Sequence, residues 1–236
     1  MRSGFKSDCG RVRDQNEDNY LQMEQNGLKI FAVADGMGGH NAGEVASSIA
    51  IELLQDYNFS SDKIPGDLIK VIESINIEIR DKAEKNTDYQ GMGTTLTVAV
   101  LDDNQVYIGH VGDSRAYLLR DGEFNQLTED HSLVNKLVKT GKITAEEARD
   151  HPQSNVLLQA LGTESQVDVD VIELEAKSGD LFLLCSDGLN VMLSDKEIKD
   201  ILLKEDSLQD KADRLVRLAK EFGGYDNITI NLFAVS

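Results

Sequence analysis

One stretch of the chain, Asp-Gly-Met-Gly-Gly-His at residues 35–40, joins a carboxylate and an imidazole to three glycines, directly after the apolar run 30–34. Glycines at this density let the backbone approach a ligand closely and adopt positive φ. The stretch is therefore a candidate binding site at the end of a strand. A glycine-rich turn before a helix has the same local pattern.

Three further aspartates, Asp113, Asp187 and Asp226, each adjoin an apolar run. Taken singly, each fits a turn, because Asp-Gly and similar pairs are common turn residues. If these acids converge with Asp35 at one edge of stacked sheets, their charge requires a hard cation. Oxygen donors without clustered His or Cys favour Mg²⁺ or Mn²⁺ over Zn²⁺.

The hydrophobic pattern predicts the elements that position these acids. Alternation and turn signals indicate strands near residues 3–8, 19–25, 28–34, 94–101, 106–111, 116–120, 124–128, 167–174, 180–185 and 228–235. Helical periodicity predicts helices from Val45 to Tyr57, from Pro65 to Ala83, and at about 194–204 and 207–222. The strands between 94 and 128 are expected to form an antiparallel meander. Blocks of strands and pairs of helices predict an α+β fold.

No internal repeat or linker interrupts the 236 residues, so a single domain is expected. Between about 131 and 165 the sequence becomes polar and predicts short helices, with Thr144 and Glu147 as a capping box. Few apolar residues occur in this segment, so we expect a weakly packed excursion beside the sheets.

Composition limits the partners. The chain has 24 basic and 42 acidic residues, a formal charge of −18, and such a surface repels nucleic-acid phosphates and anionic lipid. No apolar run approaches the roughly 18 residues needed to span a bilayer, and the N-terminus does not resemble a signal peptide. Cys9 and Cys185 are far apart and are expected to be reduced. We expect a cytoplasmic protein without a nucleic-acid or membrane partner.

Six motifs stand in the order shown by the metal-dependent, type 2C family of protein serine/threonine phosphatases. They occupy residues 10–18, 34–40, 91–95, 112–115, 185–189 and 224–229. The chain resembles this family, most of all its compact bacterial members, from about residue 4 to the C-terminus. The resemblance implies a four-layer α-β-β-α sandwich, in which helix pairs flank two antiparallel sheets, with a flap subdomain at about 131–165.

The resemblance also implies a metal centre that holds Mn²⁺ or Mg²⁺. Asp35 matches the residue that bridges two ions, and Gly36 matches the residue that binds one ion through its carbonyl oxygen. Asp187 and Asp226 match the ligands that complete the other ion's shell. Asp113, together with Asp187, matches a third and weaker site of bacterial members.

Three other residues match positions around the reacting phosphate. Glu17 and Asp18 match positions that hold metal-bound water, and Arg13 matches the arginine that grips the substrate phosphate. The identity of the general acid is left open, because eukaryotic relatives carry histidine where this chain has Met37. Either His40 positions water or contacts substrate, or a metal-bound water donates the proton.

The expected function is therefore hydrolysis of phosphoserine and phosphothreonine by metal-activated water at a binuclear Mn²⁺ or Mg²⁺ centre. The expected partners are phosphorylated proteins, among them a bacterial serine/threonine kinase and its substrates, and a monomer is expected.

Two other functions fit part of the pattern. An inactive relative that only binds partners is disfavoured by the intact arginine and metal-binding aspartates. A hydrolase of small phosphorylated metabolites needs a basic pocket, and basic residues do not cluster near the motifs. No covalent nucleophile is expected, because Cys185 lies inside an apolar run, and His110 is interpreted as a packed, hydrogen-bonded residue.

Overall fold

The chain folds around two antiparallel sheets. The computed structural model describes residues 2–38, 42–149 and 151–235. The strands are β1 (Arg2–Asp8), β2 (Asp18–Gln25), β3 (Leu28–Met37), β4 (Gly93–Thr94), β5 (Leu96–Asp102), β6 (Gln105–Val111), β7 (Arg115–Arg120), β8 (Glu123–Gln126), β9 (Asp170–Glu175), β10 (Leu181–Cys185) and β11 (Ile228–Ala234). One sheet has the order β1-β11-β10-β7-β8, and the other has the order β2-β3-β5-β6-β9, with β4 paired to β3.

Helices cover the outer face of each sheet. They are α1 (Ala42–Asp56), α2 (Ile64–Lys85), α3 (Leu133–Lys139), α4 (Ala145–Arg149), α5 (Asp187–Asn190), α6 (Asp195–Leu202) and α7 (Leu208–Glu221). Apolar residues of α1 and α2 pack on the second sheet, and those of α6 and α7 pack on the first. The predicted α+β sandwich with four layers is confirmed.

A column of phenylalanines holds the two sheets together. The ring of Phe233 stacks on Phe31 at 4.2 Å and on Phe182 at 4.8 Å, and all three side chains are buried between the sheets. Burying one such ring contributes about 1.5–3 kcal/mol. Because Phe31 belongs to β3 of one sheet, and Phe182 and Phe233 belong to β10 and β11 of the other, these rings join the two sheets.

The expected meander between residues 94 and 128 is wrong. β5 pairs with β6, but β7 and β8 pair with each other in the opposite sheet. The chain crosses between the sheets at Gly112, which has a φ of 113°, and a Cβ there would lie 2.5 Å from Thr95. Only glycine suits this crossing. The crossing places Asp113 at the rim of the sandwich instead of in a hairpin turn.

Helix termini agree with the predicted signals. Ser194 and Glu197 form a capping box at the start of α6, and Thr144 and Glu147 bond reciprocally before α4. None of the side chains of α3 is buried. Within the part of the chain that the structure describes, no helix is both long and apolar enough to cross a membrane.

Candidate active site

Two of the predicted acids face each other on neighbouring strands. Asp18 begins β2 and lies opposite Asp35 in the antiparallel pairing of β2 with β3. Like charges directly opposite one another destabilise a sheet. Burial raises the pKa of Asp18 to about 7. Burial, and next the charge of Asp18, raise the pKa of Asp35 well above its ordinary value.

Two more carboxylates reach the same place. Asp113 comes from the crossing between the sheets, and Asp187 begins α5 directly after β10. Burial, and next the charge of Asp187, raise the pKa of Asp113 to about 8. Burial, and next the charge of Asp226, raise the pKa of Asp187 to about 6. Because each of these acids responds to another's charge, we call Asp18, Asp35, Asp113 and Asp187 the acidic cluster.

The acidic cluster fits a hard cation. Asp18 Oδ1 is buried and has no hydrogen-bond partner among the described residues, and an orphaned buried carboxylate oxygen is costly without a cation. Across residues 2–38, 42–149 and 151–235, no three His, Cys, Asp or Glu side chains are arranged to hold an ion by themselves. Mg²⁺ needs only one or two carboxylates, because it keeps several waters. The donor set therefore fits Mg²⁺ or Mn²⁺ whose shells also include water and main-chain oxygen.

Arg13 reaches this edge from the loop before β2. Its Nη2 donates a hydrogen bond to Asp226 Oδ2 at 2.8 Å, and that bond, together with the carboxylate charge, raises the Arg13 pKa. The two side chains are 54% and 39% exposed, so their ion pair contributes about 0.2–1 kcal/mol. Such a weak pair can open, which leaves the guanidinium free to bind an anion.

Main-chain contacts pack Glu17 against Gly36. The Gly36 N–H donates to the Glu17 carbonyl at 3.2 Å, and Ser47 Oγ donates to the same carbonyl at 2.6 Å. A Cβ at Gly36 would lie 2.2 Å from the Gly43 carbonyl oxygen, so only glycine fits there. Burial raises the pKa of Glu17, and Arg13 lowers it. The predicted site residue His40 lies outside the described residues.

Comparison with known proteins identifies the family. The sequence profile of the family described as Protein phosphatase 2C matches residues 9–223. The chain belongs to the protein phosphatase 2C family. It is a serine/threonine phosphatase enzyme, as the resemblance predicted.

Relatives of similar length match over almost their whole length. A serine/threonine phosphatase named stp from Listeria monocytogenes is 45% identical over 239 residues, which cover 98% of this chain and 95% of that protein. A solved S. agalactiae serine/threonine phosphatase is 38% identical, with a TM-score of 0.94 and coverage of 100% and 99%. The catalytic domain of the phosphatase PstP, solved in complex with two manganese ions, is 39% identical, with a TM-score of 0.89 and coverage of 100% and 98%.

Sequence reasoning missed the polar residues that hold the phosphatase's site loops. Asn227 accepts from the Glu17 N–H at 2.8 Å and donates to the Cys9 and Gln15 carbonyls at 3.1 and 2.9 Å. Ser186 Oγ donates to Asp18 Oδ2 at 2.6 Å. Both residues adjoin predicted metal ligands within motifs, and that adjacency was the available signal.

The residues interpreted as core residues have no nucleophilic role in this geometry. Cys185 is buried, and burial raises the pKa of its thiol to about 12. His110 is also buried, and burial lowers its pKa to about 4. Its two ring nitrogens contact Thr97 Oγ1 at 2.9 Å and the Glu129 carbonyl at 3.1 Å. His110 is therefore a packed, hydrogen-bonded residue, as expected.

Proposed function

We propose that the phosphatase hydrolyses phosphoserine and phosphothreonine in proteins with two Mn²⁺ or Mg²⁺ ions. Asp35, the Gly36 carbonyl, Asp187 and Asp226 hold these ions, and Asp113 with Asp187 binds a third, weaker ion. The observation that carries the proposal is the acidic cluster, whose members mutually oppose ionisation beside an exposed arginine. The two manganese ions of the PstP catalytic domain support the choice of metal.

The residues of the chain bind and orient the substrate. When bound, the ions supply an activated water and offset the charge of the phosphate. Arg13 presents a planar fork of donors that suits two phosphate oxygens. Asn227 fixes the loop that carries Arg13 through its contacts with the Cys9 and Gln15 carbonyls. Glu17 and Asp18 would hold water beside the ions. For the proton that the leaving oxygen needs, both alternatives stand: His40 positions water or contacts the substrate, or a water held by the metal donates the proton.

The substrates that fit this site are phosphorylated proteins, among them a serine/threonine kinase and that kinase's targets. The partly exposed Arg13–Asp226 pair supports this, because the phosphate-binding group stands at the surface, where a protein-bound phosphoresidue can reach it. We further propose one catalytic domain with a flap at about 131–165, acting as a monomer in the cytoplasm.

An assay with and without metal tests this function. The purified protein is incubated with p-nitrophenyl phosphate or a phosphothreonine peptide, with Mn²⁺ and then with chelator. We expect hydrolysis of both substrates with Mn²⁺ and none with chelator. Turnover that survives chelation would exclude the metal mechanism. No turnover of either substrate would favour an inactive binding module, and turnover of small phosphate esters alone would favour a metabolite hydrolase.

Replacing Arg13 with alanine is expected to raise the KM for a phosphopeptide by about 10–100-fold, with a smaller effect on kcat. The reason is that a hydrogen bond to a charged group is worth about 1.5–3 kcal/mol. Arg13→Lys keeps the charge without the fork and should recover only part of the loss. Arg11→Ala removes an exposed arginine of the same loop and is the matched control. Unchanged KM and kcat in Arg13→Ala would contradict this role.

A further inference from the structure

Asp130 and His131, which precede α3, form hydrogen bonds with residues on both sides of the turn that carries Asp113. On one side, the Gly112 N–H donates to His131 Nδ1 at 3.2 Å, and the His131 N–H donates to the Gly112 carbonyl at 2.7 Å. On the other side, the Arg115 guanidinium forms a fork on Asp130, with contacts of 2.6 to 3.1 Å. Residues 130 and 131 therefore hold both neighbours of the Asp113 turn.

The second ring nitrogen of His131 forms a hydrogen bond to β9 of the sheet. Because Nδ1 accepts from Gly112, Nε2 carries the proton and donates to Asp170 Oδ2 at 3.1 Å. Asp170 begins β9 and pairs with His110 on β6. The His131 ring also packs on the His110 ring, with centroids 4.9 Å apart. The His131 side chain is only 11% exposed, so these contacts define one orientation of the ring.

The same residue closes the root of the predicted flap. The His131 carbonyl accepts from the Leu158 N–H at 2.8 Å, and the next residue, Ser132, forms a bridge with Leu157. The Leu133 N–H donates to the Val156 carbonyl at 2.8 Å. Residues 131–133 and 156–158 therefore pair at the root of the segment, and His131 is the first residue of that pairing.

Asp113 needs such a restraint, because it shares the acidic cluster with Asp187. The charge of Asp187 opposes the ionised form of Asp113, so repulsion between the two carboxylates favours movement of the Asp113 side chain away from the cluster. The turn at Gly112, which has a φ of 113°, is the part of the backbone whose conformation can change in response. Without an acceptor at His131, the Gly112 N–H loses its partner, and the turn loses one of its two bonds to residue 131.

We propose that His131 is a positioning residue that holds the Asp113 carboxylate in the acidic cluster and joins the root of the 131–158 segment to it. This inference rests on the proposed function, because it assigns Asp113 to the weaker metal site. It predicts that binding of the weaker ion depends on the hydrogen bond between Gly112 and the residue at position 131.

Three substitutions at one position separate the two ring contacts. His131→Asn places an amide oxygen near the Nδ1 position and can still accept from Gly112. His131→Gln reaches towards Asp170 but offers no acceptor to Gly112. His131→Ala removes both contacts, and Asp170→Ala removes only the outer one. Asp113→Ala gives the reference for loss of the weaker ion, and each His131 variant is also combined with it.

Mn²⁺ binding measured by calorimetry provides a readout that does not depend on turnover. We expect the weak binding step of the wild type to weaken by about 10–100-fold in His131→Ala and His131→Gln, the range found for residues that orient metal ligands. His131→Asn should stay near the wild type, and Asp170→Ala should fall between. In the Asp113→Ala background the weak step is already lost, so His131→Ala should cause no further change. Melting temperatures with chelator show whether each variant folds.

The possible outcomes distinguish this inference from the proposed function. A weak step unchanged in His131→Ala, or equally weakened in His131→Asn and His131→Ala, would overturn the positioning role and leave the phosphatase activity intact. A wild type that binds Mn²⁺ without any weak step would also overturn it. A wild type that neither binds Mn²⁺ nor hydrolyses phosphopeptide would instead overturn the proposed function.

Discussion

The Asp35→Asn variant is expected to lose about 10³-fold in kcat, while its metal-free form melts at a higher temperature than the wild type. Activity falls because the proposed bridging ligand loses its charge. The electrostatic help of a metal is worth several kcal/mol, and about 4 kcal/mol corresponds to a factor of about 10³. Stability rises because asparagine keeps the shape of the side chain and is always neutral, whereas the buried Asp35 carboxyl opposite Asp18 must carry a charge or take up a proton. Steady-state kinetics with Mn²⁺ and thermal melts with chelator measure the two effects.

A matched control keeps the two effects apart. Asp121→Asn removes one charge in an exposed turn at the far end of β7, where the residue has a φ of 52° that asparagine tolerates. This variant should behave like the wild type in both assays. The prediction is wrong if Asp35→Asn is destabilised in chelator, or if Mn²⁺ stabilises it as much as it stabilises the wild type.

The sequence predicted where the strands lie better than it predicted which strands pair with one another. The alternation at 106–111 and 116–120 correctly indicated two strands, but a period of two residues does not record which sheet a strand joins. The two strands lie in opposite sheets, because Gly112 allows a crossing that most side chains would block. The error matters for function, since the crossing delivers Asp113 to the rim shared by both sheets.

The sequence predicted the candidate site residues that can be recognised from their immediate neighbours in the chain. Glycine at position 36 and aspartates beside apolar runs are visible in the chain itself. The contacts that hold them are not local: Ser186 bonds to Asp18 across 168 positions, and Asn227 bonds to Glu17 across 210. Asp18 was expected only to hold water. In the structure it is also buried, with one oxygen lacking a partner among the described residues.

The metal-free protein is expected to lose stability as pH rises from about 6.5 to about 8, the folded pKa of Asp113. Asp18 and Asp113 have folded pKa values of about 7 and about 8, above the value of about 3.9 in an unfolded chain. The native state therefore holds more protons than the unfolded state in this window, so the free energy of unfolding falls as pH rises. Below about 6.5, His110 opposes this trend, because its lowered pKa makes the unfolded state the better proton acceptor there.

Mn²⁺ is expected to reverse that slope, since a cation binds the ionised carboxylates and competes with their protons. At a Mn²⁺ concentration of about 100 times Kd, the gain is about 2.7 kcal/mol, or roughly 5–10 °C in Tm for a chain of this size. Thermal melts at several pH values, with chelator and with Mn²⁺, measure both slopes. Asp121→Asn should reproduce the wild-type slopes, whereas Asp113→Ala should flatten the metal-free one. Parallel slopes with and without Mn²⁺ would contradict a site built from these acids, because protons and metal would then occupy different groups.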